Sequence, residues 1–210
     1  MIQTILFDFG NVVGFFDHQR AVRHLLTHTD QTPEQLIQIL YYGDLEVRYE
    51  CGQISTRQVF DVVREVGRFR CTYEEFVEAF CDIFWPNPPV ADLLPRLKRQ
   101  GYRLVLASNT NDAHYTRYRA MFADTLKHFD AIAVSHKAGA RKPDRRFYEY
   151  ADQFTEANPT KCLFIDDMPE NVEAARNFGW KAARYTTFDQ LMADLQKEGV
   201  FAFSDEKLAD

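Results

Sequence analysis

Cysteine is scarce in this chain of 210 residues, and the four present, Cys51, Cys71, Cys81 and Cys162, lie scattered with no CxxC pair among them. A disulfide framework and a zinc half-site are thereby excluded, and a reduced, cytoplasmic setting is expected. No uncharged apolar run approaches the ~18 residues of a bilayer span. The opening MIQTILFDFG has neither the basic start nor the long apolar centre and small-residue cleavage site of a secretory signal, so export is not expected. Positive charge is in deficit as well: 25 Lys plus Arg against 31 Asp plus Glu give a formal charge of −6. Without a basic stripe interleaved with aromatics, neither nucleic acid nor a membrane is an expected partner. GxGxxG, Walker and GxSxG motifs are all missing, which removes support for dinucleotide, P-loop and serine-hydrolase chemistry.

What the chain does have is a globular balance, 46% apolar and 27% charged, which excludes extensive disorder. Short apolar runs bounded by turn or polar residues recur at 4–7, 103–107, 131–135, 162–165 and 182–185, and read as buried strands. Helical spacing falls between and after the later ones, at 112–127, 145–154, 171–178 and 189–197. Strands alternating with helices predict a doubly wound, Rossmann-like α/β core with a parallel sheet covered on both faces. From about Phe16 to Trp85 the alternation stops, and only amphipathic helical patterns such as 18–26, 33–42 and 55–66 are visible. This predicts an all-helical insertion, residues 15–89, between core segments 1–14 and 90–210. Three prolines in Pro86-Asn87-Pro88-Pro89 predict a stiff extended hinge at its exit. The acidic end, 204–210, is expected to be loose.

In open parallel sheets ligands bind beyond the carboxyl ends of the strands, so the residues following each run are the informative ones. Asp8 follows the first, Ser108 and Asn109 the second, Lys142 lies beyond the third, and Asp166-Asp167 follow the fourth. Together they offer a carboxylate nucleophile, hydroxyl and amide donors, a fixed cation and further carboxylates suited to a hard divalent ion. Phosphoryl transfer requires such a set, because a lysine and Mg²⁺ remove the repulsion between an aspartate and an anionic ester. Each residue alone has a duller reading as a strand-end acid, a helix cap or a solvated charge. In fixed order on four strand ends, those readings need four coincidences.

Phe7-Asp8-Phe9-Gly10-Asn11-Val12, Ser108-Asn109-Thr110-Asn111, Arg141-Lys142-Pro143 and Asp166-Asp167 with Asn171-Val172 resemble the four motifs of the haloacid dehalogenase (HAD) superfamily. The helical insertion is similar to its type I cap. The motifs, with Gly52-Gln53-Ile54-Ser55, look most like the α-D-glucose-1-phosphate phosphatase-like branch, with the phosphatase domain of soluble epoxide hydrolases as a cousin. The resemblance implies a Mg²⁺-dependent phosphatase acting on a small phosphorylated metabolite, a sugar phosphate for preference. It implies that Asp8 is the nucleophile and a metal ligand, and that Gly10 lends the metal its backbone carbonyl. Asp166 and Asp167 would complete the metal site. Ser108 and Lys142 would hold phosphoryl oxygens, Lys142 would orient Asp8, Asn109 would lie beside the transferring group, and Asn171 would support the loop.

One position departs from that pattern. Most phosphatases of the superfamily carry a second aspartate two residues after the nucleophile as general acid and base, and this chain has Gly10 there. A positioned acid or base is worth ~10² to 10⁴ in rate. Three compensations are open: an acidic leaving group such as an anomeric sugar hydroxyl, a substitute acid at Asp17 or His18, or protonation by solvent. Two other functions stand beside the leading one, a metal-independent carbon–halogen hydrolase and a HAD-like binding module with weakened catalysis. Glu46, Arg48 and Arg141 read as surface charge, and His24 with His28 as an ordinary helix face.

Overall fold

The computed structural model describes residues 1–200, so the expectation for the acidic end, 204–210, lies outside the described residues. Along the chain come β1 (Thr4–Phe7), β2 (Gly14–Phe16), α1 (His18–Leu25), α2 (Pro33–Tyr41), α3 (Asp44–Glu50), α4 (Thr56–Val66) and α5 (Tyr73–Cys81). Next are β3 (Phe84–Pro86), α6 (Pro88–Arg99), β4 (Arg103–Ser108), α7 (Asp112–Met121), α8 (Ala123–Leu126), β5 (Ala131–Val134) and α9 (Ser135–Ala138). The last are α10 (Arg145–Asp152), β6 (Cys162–Asp166), α11 (Pro169–Phe178), β7 (Lys181–Arg184) and α12 (Phe188–Lys197).

Five of the strands make one parallel sheet in the order β5-β4-β1-β6-β7. Every residue of β1 and β6 is buried, because helices cover both faces, and the apolar runs 5–7 and 162–165 follow from that. The first strand in sequence is central in space. Its carboxyl end therefore opens between β4 and β6, where crossovers leave to opposite sides, and a ligand crevice forms at such a switch point.

The insertion is built from α1 to α5. Three of its helices begin with capping boxes, in which Thr32, Ser55 and Thr72 accept from the amides of Gln35, Gln58 and Glu75 while those side chains return the bond. Such a start satisfies amides that would otherwise be orphaned, and it fixes where each helix enters. The apolar faces meet in an aromatic seam, Phe60, Phe76 and Phe80 among them, which runs into the core through Phe9, Phe84 and Tyr118.

Two expectations are corrected by the fold. The stretch between β1 and α6 is not free of strands, since β2 pairs antiparallel with β3, Phe15 opposite Trp85, at the junction of insertion and core. Three-residue strands whose partners lie some 70 positions apart leave no periodicity to read. The prolines, secondly, are not an extended hinge: Pro86 ends β3, while Pro88 and Pro89 open α6, where a missing amide hydrogen costs nothing. The run at 112–127 also breaks at Phe122 into α7 and α8.

Candidate active site

The ends of three sheet strands, β1, β4 and β6, and the loop that carries Lys142 converge on a cavity of about 250 Å³ between sheet and insertion. Asp8 stands just past β1, with its amide donating to Ile165 O at 2.8 Å, so that the backbone of β6 fixes where it leaves the sheet. Asp166 ends β6 and is fully buried. Its carboxylate accepts from Met168 N at 2.9 Å and from Asn171 Nδ2 at 3.0 and 3.1 Å, both groups belonging to the start of α11. Asn171 thus steadies Asp166 from the wall of the cavity. Asp167 is half-buried and accepts from Asn11 Nδ2 at 3.0 Å.

Lys142 is 1% exposed and reaches the bottom of the cavity. Its Nζ lies 2.8 Å from Asp8 Oδ1 and 2.6 Å from Asp166 Oδ2, and donates to Ala107 O at 2.9 Å. An ammonium has three donors, and all three are engaged. Lys142 touches a phosphoryl oxygen only by giving up one of these contacts. Asn109, expected beside the transferring group, clamps the lysine's backbone: its Oδ1 accepts from Lys142 N at 2.8 Å and its Nδ2 donates to Lys142 O at 3.0 Å. Ser108 ends β4, is 2% exposed and lines the same cavity.

Three carboxylates against one cation make a buried excess of negative charge. Burial pushes the Asp8 carboxyl well above the ordinary range, Asp166 and Asp167 add to the shift, and Lys142 opposes it. Asp167 is raised for the same first reason. Carboxylate oxygens of Asp8, Asp166 and Asp167 lie within 4.8 Å of one another, the one such acidic group among the described residues. Hard oxygen donors and uncompensated charge are the chemistry that a divalent cation such as Mg²⁺ satisfies, so the residues fit one.

Gly10 also lines the cavity, and the place beside it is filled. A Cβ built there would come within 2.8 Å of Phe16 Cε1, so the ring of β2 stands where a side chain at position 10 would go. The two candidate substitutes fare unequally. Asp17 is the N-cap of α1, accepting from Gln19 N at 2.8 Å, and is committed to that turn. His18 does line the cavity, but it is stacked on Tyr41 at 3.7 Å between centroids, and burial lowers its pKa to about 4.

Sequence reasoning missed four residues that the fold brings in. Asn11 takes a left-handed φ of 56°, a conformation asparagine tolerates better than most, and that preference was the available signal. Glu46 and Glu50 sit one turn apart on α3 and face the cavity, where Arg141 Nη1 lies 3.7 and 2.8 Å from their Oε2 atoms. Their i, i+4 spacing marks a shared face but not which way it points. Arg48 does behave as surface charge, pairing with Asp44 at 3.6 Å. His24 likewise remains exposed, 3.8 Å from Asp82.

Comparison with known proteins bears on this geometry. The family model for haloacid dehalogenase-like hydrolases matches residues 2–179. A D-ribitol-5-phosphate phosphatase of Bacteroides thetaiotaomicron is 24% identical over 86% of this chain and 90% of its own length. The sesquiterpene phosphatase astK of Aspergillus oryzae is 33% identical, but over 45% of this chain, which spans 47% of that protein. A Bacteroides thetaiotaomicron HAD family enzyme crystallised with magnesium and inorganic phosphate superposes with a TM-score of 0.76 at 21% identity, over 89% of this chain and 95% of that one. An L-2-haloacid dehalogenase from Xanthobacter autotrophicus has the same fold, with a TM-score of 0.63 at 18% identity over 96% of this chain and 85% of that one. With a parallel sheet of this order and a family match along most of its length, the chain belongs to the haloacid dehalogenase-like hydrolases.

Proposed function

We propose that this protein is a Mg²⁺-dependent phosphomonoesterase acting on a small phosphorylated metabolite, a sugar phosphate for preference, through an aspartyl phosphate on Asp8. The observation that carries this reading is the gathering of Asp8, Asp166 and Asp167 within reach of one another, with Lys142 paired to the first two, at a cavity lined by Asp8, Lys142 and Asp167. A carbon–halogen hydrolase working without metal has no use for three adjacent carboxylates. Relatives with phosphatase activity in their names support the same choice.

Asp8, Asp166 and Asp167, with the Gly10 carbonyl, would hold the metal. When bound, Mg²⁺ neutralises the carboxylates and draws charge from the phosphoryl oxygens. Lys142 keeps one Asp8 oxygen in place at 2.8 Å, leaving the other to attack phosphorus in line. The ester P–O bond breaks, the alcohol leaves with the electron pair and takes up a proton, and water then cleaves the acyl phosphate to return Asp8 and free phosphate. Ser108 donates to a phosphoryl oxygen. Asn109 and Asn171 act at one remove, by fixing Lys142 and Asp166. No carboxylate stands at position 10 to supply the alcohol's proton, which favours esters whose leaving hydroxyl is already acidic, as in sugar 1-phosphates.

A panel of phosphorylated metabolites, assayed for phosphate release with Mg²⁺ and with EDTA, tests the proposal. Release should require Mg²⁺ and should vanish in Asp8→Asn. Turnover of a 2-haloacid in EDTA, without phosphate release from any ester, would overturn it.

A further inference from the structure

The insertion contributes its own charged groups to the cavity, and their arrangement speaks to the half of the substrate that departs. An ester attacked in line by Asp8 must direct its alcohol away from Asp8, toward the insertion. On that side stand Glu46 and Glu50 from α3, with Arg141 from the loop that carries Lys142. Their side chains are 25%, 16% and 32% exposed, so this is neither open surface nor sealed core. Two carboxylates against one guanidinium leave a net charge of −1.

Glu50 Oε2 is buried and lies 2.8 Å from Arg141 Nη1, yet out of line for a hydrogen bond, and it has no other partner. A buried acceptor with nothing to accept is a group awaiting a donor. Burial and the neighbouring Glu50 raise Glu46 to about 7, and burial raises Glu50 too, against the pull of Arg141. The cation needed to settle both carboxylates is therefore only half supplied. Hydroxyl groups would donate to these oxygens, whereas a second anion would meet both. Phe16, Ile83 and Phe84 add carbon surface against which a short chain can lie. A cavity of about 250 Å³ is at the small end for ligand sites.

We propose that Glu46 and Glu50, tethered by Arg141, form a leaving-group subsite that accepts a small, neutral, hydroxyl-bearing alcohol and rejects one that carries a negative charge. The proposal rests on the phosphatase reading for the direction in which the alcohol points. Arg141 has a double part: while the glutamates hold it, it orients them, and once they are neutralised it becomes free to bind an anion. The subsite thus predicts a gain of binding in a variant, an outcome that poor folding does not produce.

The test uses the phosphonate analogues of glycerol 3-phosphate and 3-phosphoglycerate, whose carbon–phosphorus bonds resist hydrolysis and whose alcohol halves differ by one carboxylate. Calorimetric affinities are measured on the intact protein with Mg²⁺ at pH 8, above the value of about 7 to which Glu46 is raised. The parent should bind the neutral analogue at least tenfold more tightly. Glu50→Gln and Glu46→Gln should each raise affinity for the anionic analogue, and the double variant should raise it at least tenfold, while Arg141→Met on the double variant removes that gain. No preference in the parent, or a preference unmoved in the double variant, overturns the subsite. Phosphate release across the metabolite panel reports separately on the phosphatase reading: selectivity without release from any ester keeps the charge-selective binding site and discards that reading, and release without selectivity does the reverse.

Discussion

Replacing Gly10 by aspartate places a carboxylate two residues after Asp8, and the ring of Phe16 decides whether it can work there. The new Cβ would stand 2.8 Å from Phe16 Cε1 and 3.3 Å from Cδ1, against the ~3.5–4.0 Å of ordinary carbon contact. Phe16 must therefore retreat by roughly 1 Å, an overpacking that costs about 1–3 kcal/mol. At ~2–4 °C per kcal/mol for a chain of this size, Tm should fall by about 2–12 °C. Phe16 is only partly buried, so Phe16→Ala opens the space at less than the cost of deleting a core ring. With room to stand, the carboxylate can act as general acid, worth ~10² to 10⁴ in rate, or about 3–5 kcal/mol. Thermal melts and kcat for an alkyl phosphate and for p-nitrophenyl phosphate read both effects. Gly10→Asp alone should melt lower and gain little. The double variant Gly10→Asp/Phe16→Ala should gain on the alkyl ester and not on the aryl ester, whose leaving group needs no proton. A single variant that melts with the parent and shows the full alkyl gain would refute the reasoning, because the ring would then not occupy that place.

Other expectations rest on particular contacts. Gly52 has a φ of +67°, and a Cβ there would fall on the carbonyl oxygen of His136 in α9; Gly52→Ala should therefore cost ~1–2 kcal/mol in backbone strain alone, and more through displacement of the insertion, read as a lower urea midpoint and a raised KM. Asn171→Ala removes the donor that reaches both Asp166 oxygens; it should cost about 1.5–3 kcal/mol and raise the Mg²⁺ concentration needed for half of the metal's effect on Tm. His114 is buried neutral, with Nε2 donating to Phe80 O and Nδ1 accepting from Asn111 Nδ2, and burial lowers its pKa to about 3. The unfolded chain then takes up the proton first, so stability is full above pH ~6.5 and declines on acidification toward pH 3, by about 3–4 kcal/mol between pH 6.5 and 4. Urea melts across that window should show the slope, and His114→Gln should flatten it.

The strand ends were readable because each sequence run that fills a two-sided sheet is short, apolar and closed by a turn, so Asp8, Ser108 and Asp166 could be placed by counting to the end of a run. Lys142 was readable only as a member of the set, and its reach to Asp8, Asp166 and Ala107 O is a tertiary fact. The insertion was harder. The helices α3 and α5 escaped the pattern, α3 because seven residues give two turns and no clear apolar stripe. Glu46, Glu50 and Arg141 look like solvated charge because a charged residue on a two-turn helix or in a loop ordinarily faces water, and only the packing of α3 over the loop at Arg141 turns them inward. Phe16 could have been read as core or as pocket wall, and its proximity to Gly10 depends on a two-stranded ribbon whose halves are far apart in the chain.

The central claim is that Asp8 carries the phosphoryl group. It is tested most directly by mixing the protein with a small phosphate monoester and Mg²⁺, quenching in acid within the first turnover, and weighing the peptide that contains Asp8. The account predicts a transient increment of one phosphoryl group on that peptide, absent in Asp8→Asn and absent when EDTA replaces the metal. Phosphate released at full rate by Asp8→Asn, or by the parent with the increment on some other peptide, would contradict it.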